Sequence, residues 1–471
     1  MRVGPLSVGT LTDWEPSAGK AITWQPSPAA LAAMSRAPLS EVPVSYMQGQ
    51  HIRGYYEQKA LGLDYSRLMI VSCDAPGQCD VRAMTYVINA HLRRHDTYRS
   101  QFFYDGDGPI GRRTIDDPLD IEVVPVRHGE LTLDEARDLL LQTPDPLQWD
   151  CFRFGIVQGE DHFTFFASID HVHVDAMIVG TTLIEFHMMY LALVGGHPPI
   201  PLPEAGSYDE FCVKQAKYLD ALTLESPQVK AWVEFADGNQ GNMPEFPLPL
   251  GDPSVLDPGD IVTVTMMDAD QTARFESACT AAGARFIGGV MACGALAEHE
   301  LTGADTYYGL TPSDTRRTPK DAVTQGWFTG LIPITVPIAG VAFGEAARTA
   351  QVSFDAGLTL AEVPYGRVLE LAPHLAKPRP NFPVVNFLDA GTAPLSVLLT
   401  ADLSDLNIGI FSDGRFSYQL SIYVMRVENE TAVAVMFPDN PEAQASVATY
   451  LSALKSVFER VAESGHWRNV A

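Results

Sequence analysis

Basic residues and cysteines are both scarce in this chain of 471 residues. Lysine and arginine together number 32 against 58 acidic residues, so the formal net charge is −26. A surface of that sign repels phosphate backbones, which excludes nucleic acid as the main partner. The six cysteines form no CxxC pair. They therefore predict buried thiols in a reducing compartment, with no disulfide framework.

The sequence predicts neither a membrane-spanning segment nor a secretory signal peptide. The one extended apolar stretch, Ala176–Val194, contains Glu185 and His187, so it predicts a buried helix and no transmembrane segment. The first ten residues lack the basic start and apolar run of a signal peptide. We expect a cytoplasmic protein, or one lying peripherally at the inner face of the membrane. No GxSxG or Walker A sequence occurs, which removes the common serine-hydrolase and nucleotide-phosphate interpretations.

Strand-like runs alternate with amphipathic helices in the first two hundred residues, which predicts an α/β layered architecture. Thr132 and Glu135 form a capping box, which predicts a helix start. The proline-rich segment GGHPPIPLPEAG at 195–206 can continue neither a helix nor a central strand. The length predicts two to four domains. We therefore expect an N-terminal lobe of residues 1–200 and a C-terminal lobe of residues 207–471.

The segment DHVHVD at 170–175 concentrates two imidazoles and two carboxylates at a predicted strand-to-helix junction. In an extended chain, His171, His173 and Asp175 share one face. That spacing has metal-ligand character and resembles the start of the metallo-β-lactamase signature. The final histidine of the signature is absent, since Ala176 follows Asp175. A metal-dependent hydrolase is therefore the weaker alternative, and we expect no metal.

A second interpretation of this segment pairs His171 with Asp175, four residues later. A carboxylate is favourable at the start of the predicted helix, and this leaves His171 as a general base. A neutral imidazole can take the proton of a hydroxyl as the oxygen attacks a thioester. A third interpretation makes both side chains satisfied structural polar groups. The residues alone leave these alternatives open.

Five segments resemble, in order and spacing, the motifs of the condensation-domain and chloramphenicol acetyltransferase-like superfamily. Asp170-His171-x-x-x-Asp175-Ala176 resembles its HHxxxDG motif, with aspartate in place of the first histidine and alanine in place of the glycine. Four further segments are similar to PLSxxQ, RHExLRTxF, GR…GxFxNxLP and, more loosely, DFGWG: Val42–Gln48, Leu92–Phe102, Arg317–Pro319 with Gly326–Pro333, and Asp405–Gly409. In this superfamily the second histidine of the motif is the catalytic one. The aspartate at position 170 therefore leaves the catalytic position, His171, intact.

Within the superfamily the chain looks most similar to the mycobacterial polyketide-associated acyltransferases that build diacyl- and penta-acyltrehaloses. The resemblance implies two chloramphenicol acetyltransferase-like lobes in a V-shaped condensation-domain architecture, with His171 projecting into a central cleft. It implies a long-chain acyl-CoA or synthase-bound acyl donor, and trehalose as the acceptor. Acyl-CoA is then a co-substrate, and no permanently bound cofactor is expected. A polyketide synthase is a further expected partner. The rival is a catalytically silent condensation-like module docked on such a synthase.

The resemblance also assigns roles to individual residues. His171 is the catalytic base. Asp175 is structural and is expected to pair with Arg317, with Arg316 as the reserve. The sequence does not assign the oxyanion donors; apart from the resemblance, the backbone N–H groups of Ala176 and Met177 are one candidate pair, because a helix N-terminus favours negative charge.

An apolar tunnel is the remaining expectation, because a long acyl chain is stabilised by about 0.8 kcal/mol for each buried methylene. Its wall is placed on the helix of residues 177–194 and on apolar second-lobe segments. The acyl-tunnel or substrate-binding candidates are Trp327, Thr329, Gly330 and Asn386. A Gly330→Trp substitution is accordingly expected to shift the preference toward shorter acyl chains.

Overall fold

The chain divides into two compact units in the computed structural model. Unit 1 contains the chain up to Tyr218, the segment Arg316–Phe328 and residues 406–414. Unit 2 contains Leu219–Thr315, residues 329–389 and the chain from Arg415 onward. The structure describes residues 2–3, 6–16, 18–63, 67–198, 200–252, 255, 257–379, 382–389, 406–415, 420–427 and 430–464.

Helices and strands alternate along both units. The strands are β1 (Arg2–Val3), β2 (Leu6–Thr10), β3 (Gly19–Pro26), β4 (Leu68–Pro76), β5 (Ser100–Phe103), β6 (Gly111–Thr114), β7 (Val123–Leu131), β8 (Phe152–Gln158), β9 (His162–Asp170), β10 (Gly259–Met267), β11 (Thr306–Asp314), β12 (Thr329–Pro337), β13 (Val384–Asp389), β14 (Ile408–Ser412), β15 (Ser421–Val427) and β16 (Glu430–Pro438). The α-helices are α1 (Pro28–Arg36), α2 (Tyr46–Ala60), α3 (Val81–Arg94), α4 (Leu133–Leu141), α5 (Ile184–Val194), α6 (Tyr208–Asp220), α7 (Pro227–Gly238), α8 (Ala269–Ala281), α9 (Phe286–Thr302), α10 (Phe343–Gly357), α11 (Tyr365–Leu371) and α12 (Pro441–Ser464).

The main sheet of unit 1 has the strand order β1-β2-β14-β4-β9-β8-β3-β7. Strand β9 lies inside this sheet, between antiparallel neighbours β4 and β8. Its side chains from Phe163 onward are buried on both faces, which suits a sequence that is mostly apolar between His162 and Asp170. The strand ends at Asp170, opposite Leu68 of β4, so the sheet fixes where the candidate segment begins.

The predicted lobe boundary at 195–206 is wrong, because the units are interleaved in sequence. Strand β14 pairs in parallel with β2 and antiparallel with β4, which inserts a late segment into the sheet of unit 1. Arg316–Phe328 also belongs to unit 1. The proline-rich segment lies within unit 1, so its composition marks a loop and no division between units.

Unit 2 contains a sheet of order β10-β16-β15-β13 and a separate antiparallel pair, β11 and β12. Its core combines inward-facing strand residues with helices α8, α9, α10 and α12. Helix α9 is buried at every residue from Phe286 to Ala297. In the described part of the chain, no single helix is long and apolar enough to span a membrane. Helices α8 and α9 meet that test only as a pair, and they are bent by 96°.

Local sequence signals account for several element boundaries. The Thr132–Glu135 capping box is present at the start of α4, as predicted. Asn440 caps α12, since its side-chain oxygen accepts the Ala443 N–H at 2.9 Å. The predicted helix 177–194 is partly wrong, because residues 179–183 form a π-helical segment and regular α-helix begins at Ile184. The six cysteines are free thiols; four of them are buried, as predicted, whereas Cys73 and Cys79 are only partly buried.

Candidate active site

His171 lies in a tight turn that follows β9. Its backbone N–H donates to the Arg67 carbonyl at 2.8 Å, and its own carbonyl accepts the Val174 N–H at 3.3 Å. The side chain of Gln48 on α2 donates to the Val172 carbonyl at 2.8 Å. Val172 and Val174 are fully buried and anchor the turn. The chain is therefore not extended here, and residues 171, 173 and 175 do not share the face that the weaker metal-site alternative requires.

The imidazole of His171 is half-buried and stacks on the indole of Trp327, with ring centroids 3.8 Å apart and planes 29° apart. Its Nδ1 is buried and has no hydrogen-bond partner among the described residues. Nε2 is therefore the ring nitrogen left to exchange a proton. Burial, reinforced by the charge of His51, lowers the pKa of His171 to about 4. The ring is neutral at pH 7, which is the form that a general base requires.

Asp175 is held by a buried bidentate ion pair, and its partner is Arg316. The two guanidinium nitrogens Nη1 and Nη2 donate to the carboxylate at 2.9 and 3.2 Å. Only 2% of the Asp175 side chain and 4% of the Arg316 side chain are exposed. The assignment of this pair to Arg317 is wrong by one residue: Arg317 is exposed, and its N–H donates to the Asp321 carboxylate.

The Asp175–Arg316 pair organises the segment Arg316–Phe328. Arg316 lies 4.3 Å over the Phe328 ring and donates to the carbonyls of Asp321 and Thr324. The Phe328 N–H donates to the Asp175 carboxylate at 2.9 Å. These bonds fix the segment beside the turn, and this places the neighbouring Trp327 against the imidazole. Asp175 therefore contacts Arg316 and the Phe328 backbone, and its structural role in the reaction stays a prediction.

The structure gives different results for the two candidate oxyanion donors, the backbone N–H groups of Ala176 and Met177. The Met177 N–H already donates to Asp175 Oδ1 at 3.1 Å. Met177 therefore cannot serve without breaking that bond, and this part of the expectation is wrong. The helix that was to supply the dipole also begins later than expected, with the π-helical segment at 179–183. The N–H of Ala176, an exposed residue, stays a prediction.

His173 has surroundings of its own, which removes the HxHxD metal geometry. Its Nδ1 is hydrogen-bonded to Thr97 Oγ1 at 3.0 Å, and its ring lies against Tyr98 and Phe152. It is fully buried, and burial lowers its pKa to about 4. Because Asp175 is bound by Arg316, the three side chains do not converge on one point. His173 is a structural core residue.

Another polar cluster in unit 1 contains His91, His95 and Glu185, a combination with metal-binding chemistry. Both imidazoles hydrogen-bond to Glu185 Oε2, at 2.9 and 3.2 Å, and Arg94 donates to Oε1 at 2.8 Å. The Gln325 N–H donates to Nδ1 of His95, so the proton of that ring is on Nε2. Burial opposes the ionisation of Glu185, but its partners outweigh this and hold its pKa below the usual range. The cluster is a hydrogen-bonded network that positions α3 and α5, although Nε2 of His91 has no partner among the described residues.

Three of the four acyl-tunnel candidates lie in unit 2, and the tunnel itself stays a prediction. Thr329 and Gly330 begin β12, and Asn386 lies in β13. A Cβ atom on Gly330 would lie 1.9 Å from the carbonyl oxygen of Ala361. The position has no room for any side chain, so Gly330→Trp would disrupt the packing and cannot serve as the test of a tunnel wall. The described part of unit 2 encloses an apolar cavity of about 10 Å³, bordered by Gly294, which is far too small for an acyl chain.

Sequence reasoning missed a buried network at Asp170. Its Oδ1 lies 2.8 Å from His51 Nε2 and accepts the Val172 N–H, and its Oδ2 lies 3.0 Å from Arg67 Nη1. His51 follows Gln48 by three residues on α2, so both face the same side of the helix. That spacing was the available signal, because Gln48 belongs to one of the family-like segments. It indicated that a second histidine faces the turn.

Comparison with known proteins places these observations in a family. The condensation-domain family model matches residues 39–466. The chain is 72% identical over 471 residues to acyltransferase PapA3 of Mycobacterium tuberculosis, with both chains fully covered. It is 56% identical over 465 residues to 2'-acyl-2-O-sulfo-trehalose (hydroxy)phthioceranyltransferase PapA1 of M. tuberculosis, covering 99% of this chain and 90% of the relative. It is 56% identical over 461 residues to trehalose-2-sulfate acyltransferase PapA2 of M. bovis, covering 97% and 98%.

A solved structure agrees with these relatives. The PapA2 acyl transferase superposes with a TM-score of 0.94 at 56% identity, covering 97% of this chain and 100% of that structure. The fold is therefore the condensation-domain fold of mixed α and β content, as predicted from the motifs.

Proposed function

The chain belongs to the condensation-domain family, and from that premise we propose that it transfers a long-chain acyl group to a hydroxyl of trehalose. Acyl transfer is the activity that the names of its relatives share. The proposed donor is a long-chain acyl-CoA or an acyl thioester carried by a polyketide synthase. The product is an acylated trehalose for cell-wall glycolipid synthesis. The six free cysteines suit a reaction in the cytoplasm or at the inner face of the membrane.

One observation carries the proposal: the neutral imidazole of His171, with Nδ1 buried and Nε2 left to react, beside a segment fixed by the Asp175–Arg316 pair. A base that is unprotonated at pH 7 can accept a hydroxyl proton without first losing its own. Its stacking on Trp327 restricts the ring to one plane. A base held in a fixed orientation meets the hydroxyl in a reactive geometry, and such positioning supplies a large part of the rate acceleration in enzyme reactions.

The proposed reaction is a single displacement through a tetrahedral intermediate. Nε2 of His171 takes the proton of the sugar hydroxyl while that oxygen bonds to the thioester carbonyl carbon. The carbonyl oxygen carries the negative charge until the carbon–sulfur bond breaks. The leaving thiolate then takes the proton from the imidazolium and departs as free coenzyme A. The step uses no covalent acyl-enzyme, metal or permanently bound cofactor.

The acceptor is the least constrained part of the proposal. The PapA1 and PapA2 relatives carry sulfated trehaloses in their names, whereas the name of the PapA3 relative specifies no acceptor. We propose trehalose, and trehalose-2-sulfate is the comparison that the test requires.

The test is a transfer assay with the purified full chain. Palmitoyl-CoA is supplied with trehalose or with trehalose-2-sulfate, free thiol is measured with a disulfide reagent, and the sugars are analysed by mass spectrometry. We expect thiol release together with acylated trehalose, unaffected by a chelator. Acylation of trehalose-2-sulfate alone would overturn the proposed acceptor. Thiol release without acylated sugar would indicate a hydrolase, and donor binding without turnover would favour the silent-module alternative.

A further inference from the structure

A second histidine lies beside the proposed base. His51, on α2, has its ring centroid 6.3 Å from that of His171 and 5.6 Å from that of Trp327. The planes of His51 and Trp327 are 66° apart, so the imidazole packs edge-to-face on the indole. His51 is only 6% exposed. The indole that stacks on His171 is therefore also contacted by His51.

The orientation of the His51 ring is set by Asp170. Burial opposes the ionisation of Asp170, but His51 and Arg67 outweigh this and hold the pKa of the carboxyl below its usual range. An ionised carboxylate only accepts hydrogen bonds. Nε2 of His51 therefore carries the hydrogen that lies between the ring and Asp170 Oδ1, 2.8 Å away. The bond fixes which ring nitrogen of His51 faces Asp170, and so it fixes the orientation of the ring.

We propose that His51 is a positioning residue of the active site: anchored by Asp170, it holds the Trp327 ring against His171 and so fixes the orientation of the base. The inference rests on the function proposed above, because it assigns a role in the same reaction. His51 acts through Trp327 and is not itself a catalytic residue.

The proposal can also be tested through the pKa of His171, which depends on the charges around that side chain. The ionisable groups that act on His171 are His51 on α2, Asp170 at the end of β9 and Asp175 beyond the turn. The largest influence on the pKa of His171 is burial, which lowers it. His51 lowers it further, and the two carboxylates raise it. Loss of the His51 charge therefore moves the titration of His171 to higher pH.

Two substitutions separate the ring contact from the hydrogen bond. His51→Gln places an amide N–H where Nε2–H was and keeps the bond to Asp170, but it removes the ring that packs on Trp327. His51→Phe keeps a ring against Trp327 but leaves Asp170 without that hydrogen bond. If His51 acts through the ring contact, His51→Gln loses roughly tenfold in kcat with little change in KM, because a misplaced base slows the chemical step. His51→Phe has the lower melting temperature of the two variants but keeps the higher kcat.

Titration of His171 is measured directly by its rate of modification with diethylpyrocarbonate, followed by peptide mass spectrometry from pH 4 to 8. Both variants are expected to shift this titration to higher pH relative to the wild-type protein. His197→Gln is the matched control, since His197 is an exposed histidine of the same unit. It is expected to leave kcat and the titration unchanged.

The inference is overturned if kcat follows the melting temperature, so that His51→Phe is the less active variant. It is also overturned if neither variant changes kcat or the titration of His171. An inactive wild-type protein would instead refute the proposed function. The modification experiment would still decide whether His51 governs the state of His171.

Discussion

The imidazole of His171 is the residue on which the proposed chemistry depends. Its ring is half-buried, and its Nδ1 bonds to no described residue, so truncation removes little that holds the fold. We expect His171→Ala to lower kcat/KM by about 10²–10⁴, the usual contribution of a general base, with little change in melting temperature. Thiol release and circular dichroism measure the two effects. Near wild-type turnover by the folded variant would contradict the assignment.

The lowered pKa of His171 predicts an unusual pH profile. A base must be neutral, and His171 stays neutral until the pH approaches about 4, whereas an unperturbed histidine is protonated below about 6.5. We expect kcat/KM to be level from pH 8 to about 5 and to fall only below that. Far-ultraviolet circular dichroism at each pH, with return to pH 7, separates titration from acid unfolding. An inflection near 6.5 in the folded protein would contradict the buried, neutral base.

Arg316 and Arg317 are adjacent but have different roles. Arg316 is bound to a buried carboxylate, and its substitution removes the guanidinium that pairs with the Asp175 charge. We expect Arg316→Met to reduce the free energy of unfolding by about 3–5 kcal/mol. Arg317→Met, at an exposed site, is the matched control and is expected to change it by about 1 kcal/mol or less. Urea denaturation measures both, and equal losses would contradict the assignment.

Among the helices and strands, sequence patterns predicted the elements whose position depends on neighbouring residues in the chain. Strands β8 and β9 coincide with runs of mostly apolar residues, and such a run is a property of the segment itself. The π-helical segment at 179–183 could not be predicted in this way. Its Thr181 and Thr182 hydroxyls accept hydrogen bonds from Gln325, far away in sequence, and no periodicity reports such contacts.

The same limit applied inside the candidate site. The motif identified His171 and Asp175, since those residues carry the family pattern. It could not decide whether Arg316 or Arg317 pairs with Asp175, because the two arginines are adjacent and the motif does not show which side chain points inward. The Asp170–His51 pair was missed since one partner replaces the motif residue and the other lies 119 positions away.

Two glycines of unit 2 test how closely its elements pack. Gly330 in β12 faces the Ala361 backbone, where a Cβ atom would lie 1.9 Å from the carbonyl oxygen. Gly294 in α9 borders the small apolar cavity, and its nearest neighbour to an added Cβ is 3.9 Å away. We expect Gly330→Ala to destabilise the protein by about 1–3 kcal/mol. Gly294→Ala is expected to stabilise it by about 0.5–1 kcal/mol, because alanine is the better helix former. Thermal melts measure both, and a neutral Gly330→Ala would contradict the packing.

For the whole molecule, composition predicted an α/β fold in two parts but not how the chain passes between them. Strand β14 pairs with β2 and β4, segments more than three hundred residues earlier. Strand pairing over that separation is decided by complementary edges and buried faces, and neither is visible in a linear pattern. The proline-rich segment 195–206 is a loop, as its composition indicated, but it is not the boundary between the units. Prolines interrupt regular structure in loops within a unit as well as in linkers between units.

Two sets of buried groups, one in each unit, are expected to make stability depend on pH in opposite directions. In unit 1, the pKa values of His91, His171 and His173 are all lowered to about 4 by burial. The unfolded chain binds their protons at higher pH than the folded one, so stability falls as the pH drops from about 6.5 to 4. In unit 2, burial raises the pKa of Glu298 to about 7. The folded chain then holds that proton more tightly, and stability falls as the pH rises from 4.5 to 7.

Glu298→Gln tests the unit 2 half of this expectation, since an amide mimics the protonated carboxyl. At pH 8 the substitution should raise the free energy of unfolding by at most about 3 kcal/mol, because one pKa unit corresponds to about 1.36 kcal/mol and the side chain is only partly buried. At pH 4.5 the carboxyl is protonated in the folded chain, and the benefit should shrink to a few tenths of a kcal/mol. Glu234→Gln, at an exposed position on α7, is the matched control and should be neutral at both pH values. Melting temperatures at the two pH values measure the difference, and equal stabilisation at both would show that Glu298 is ionised throughout.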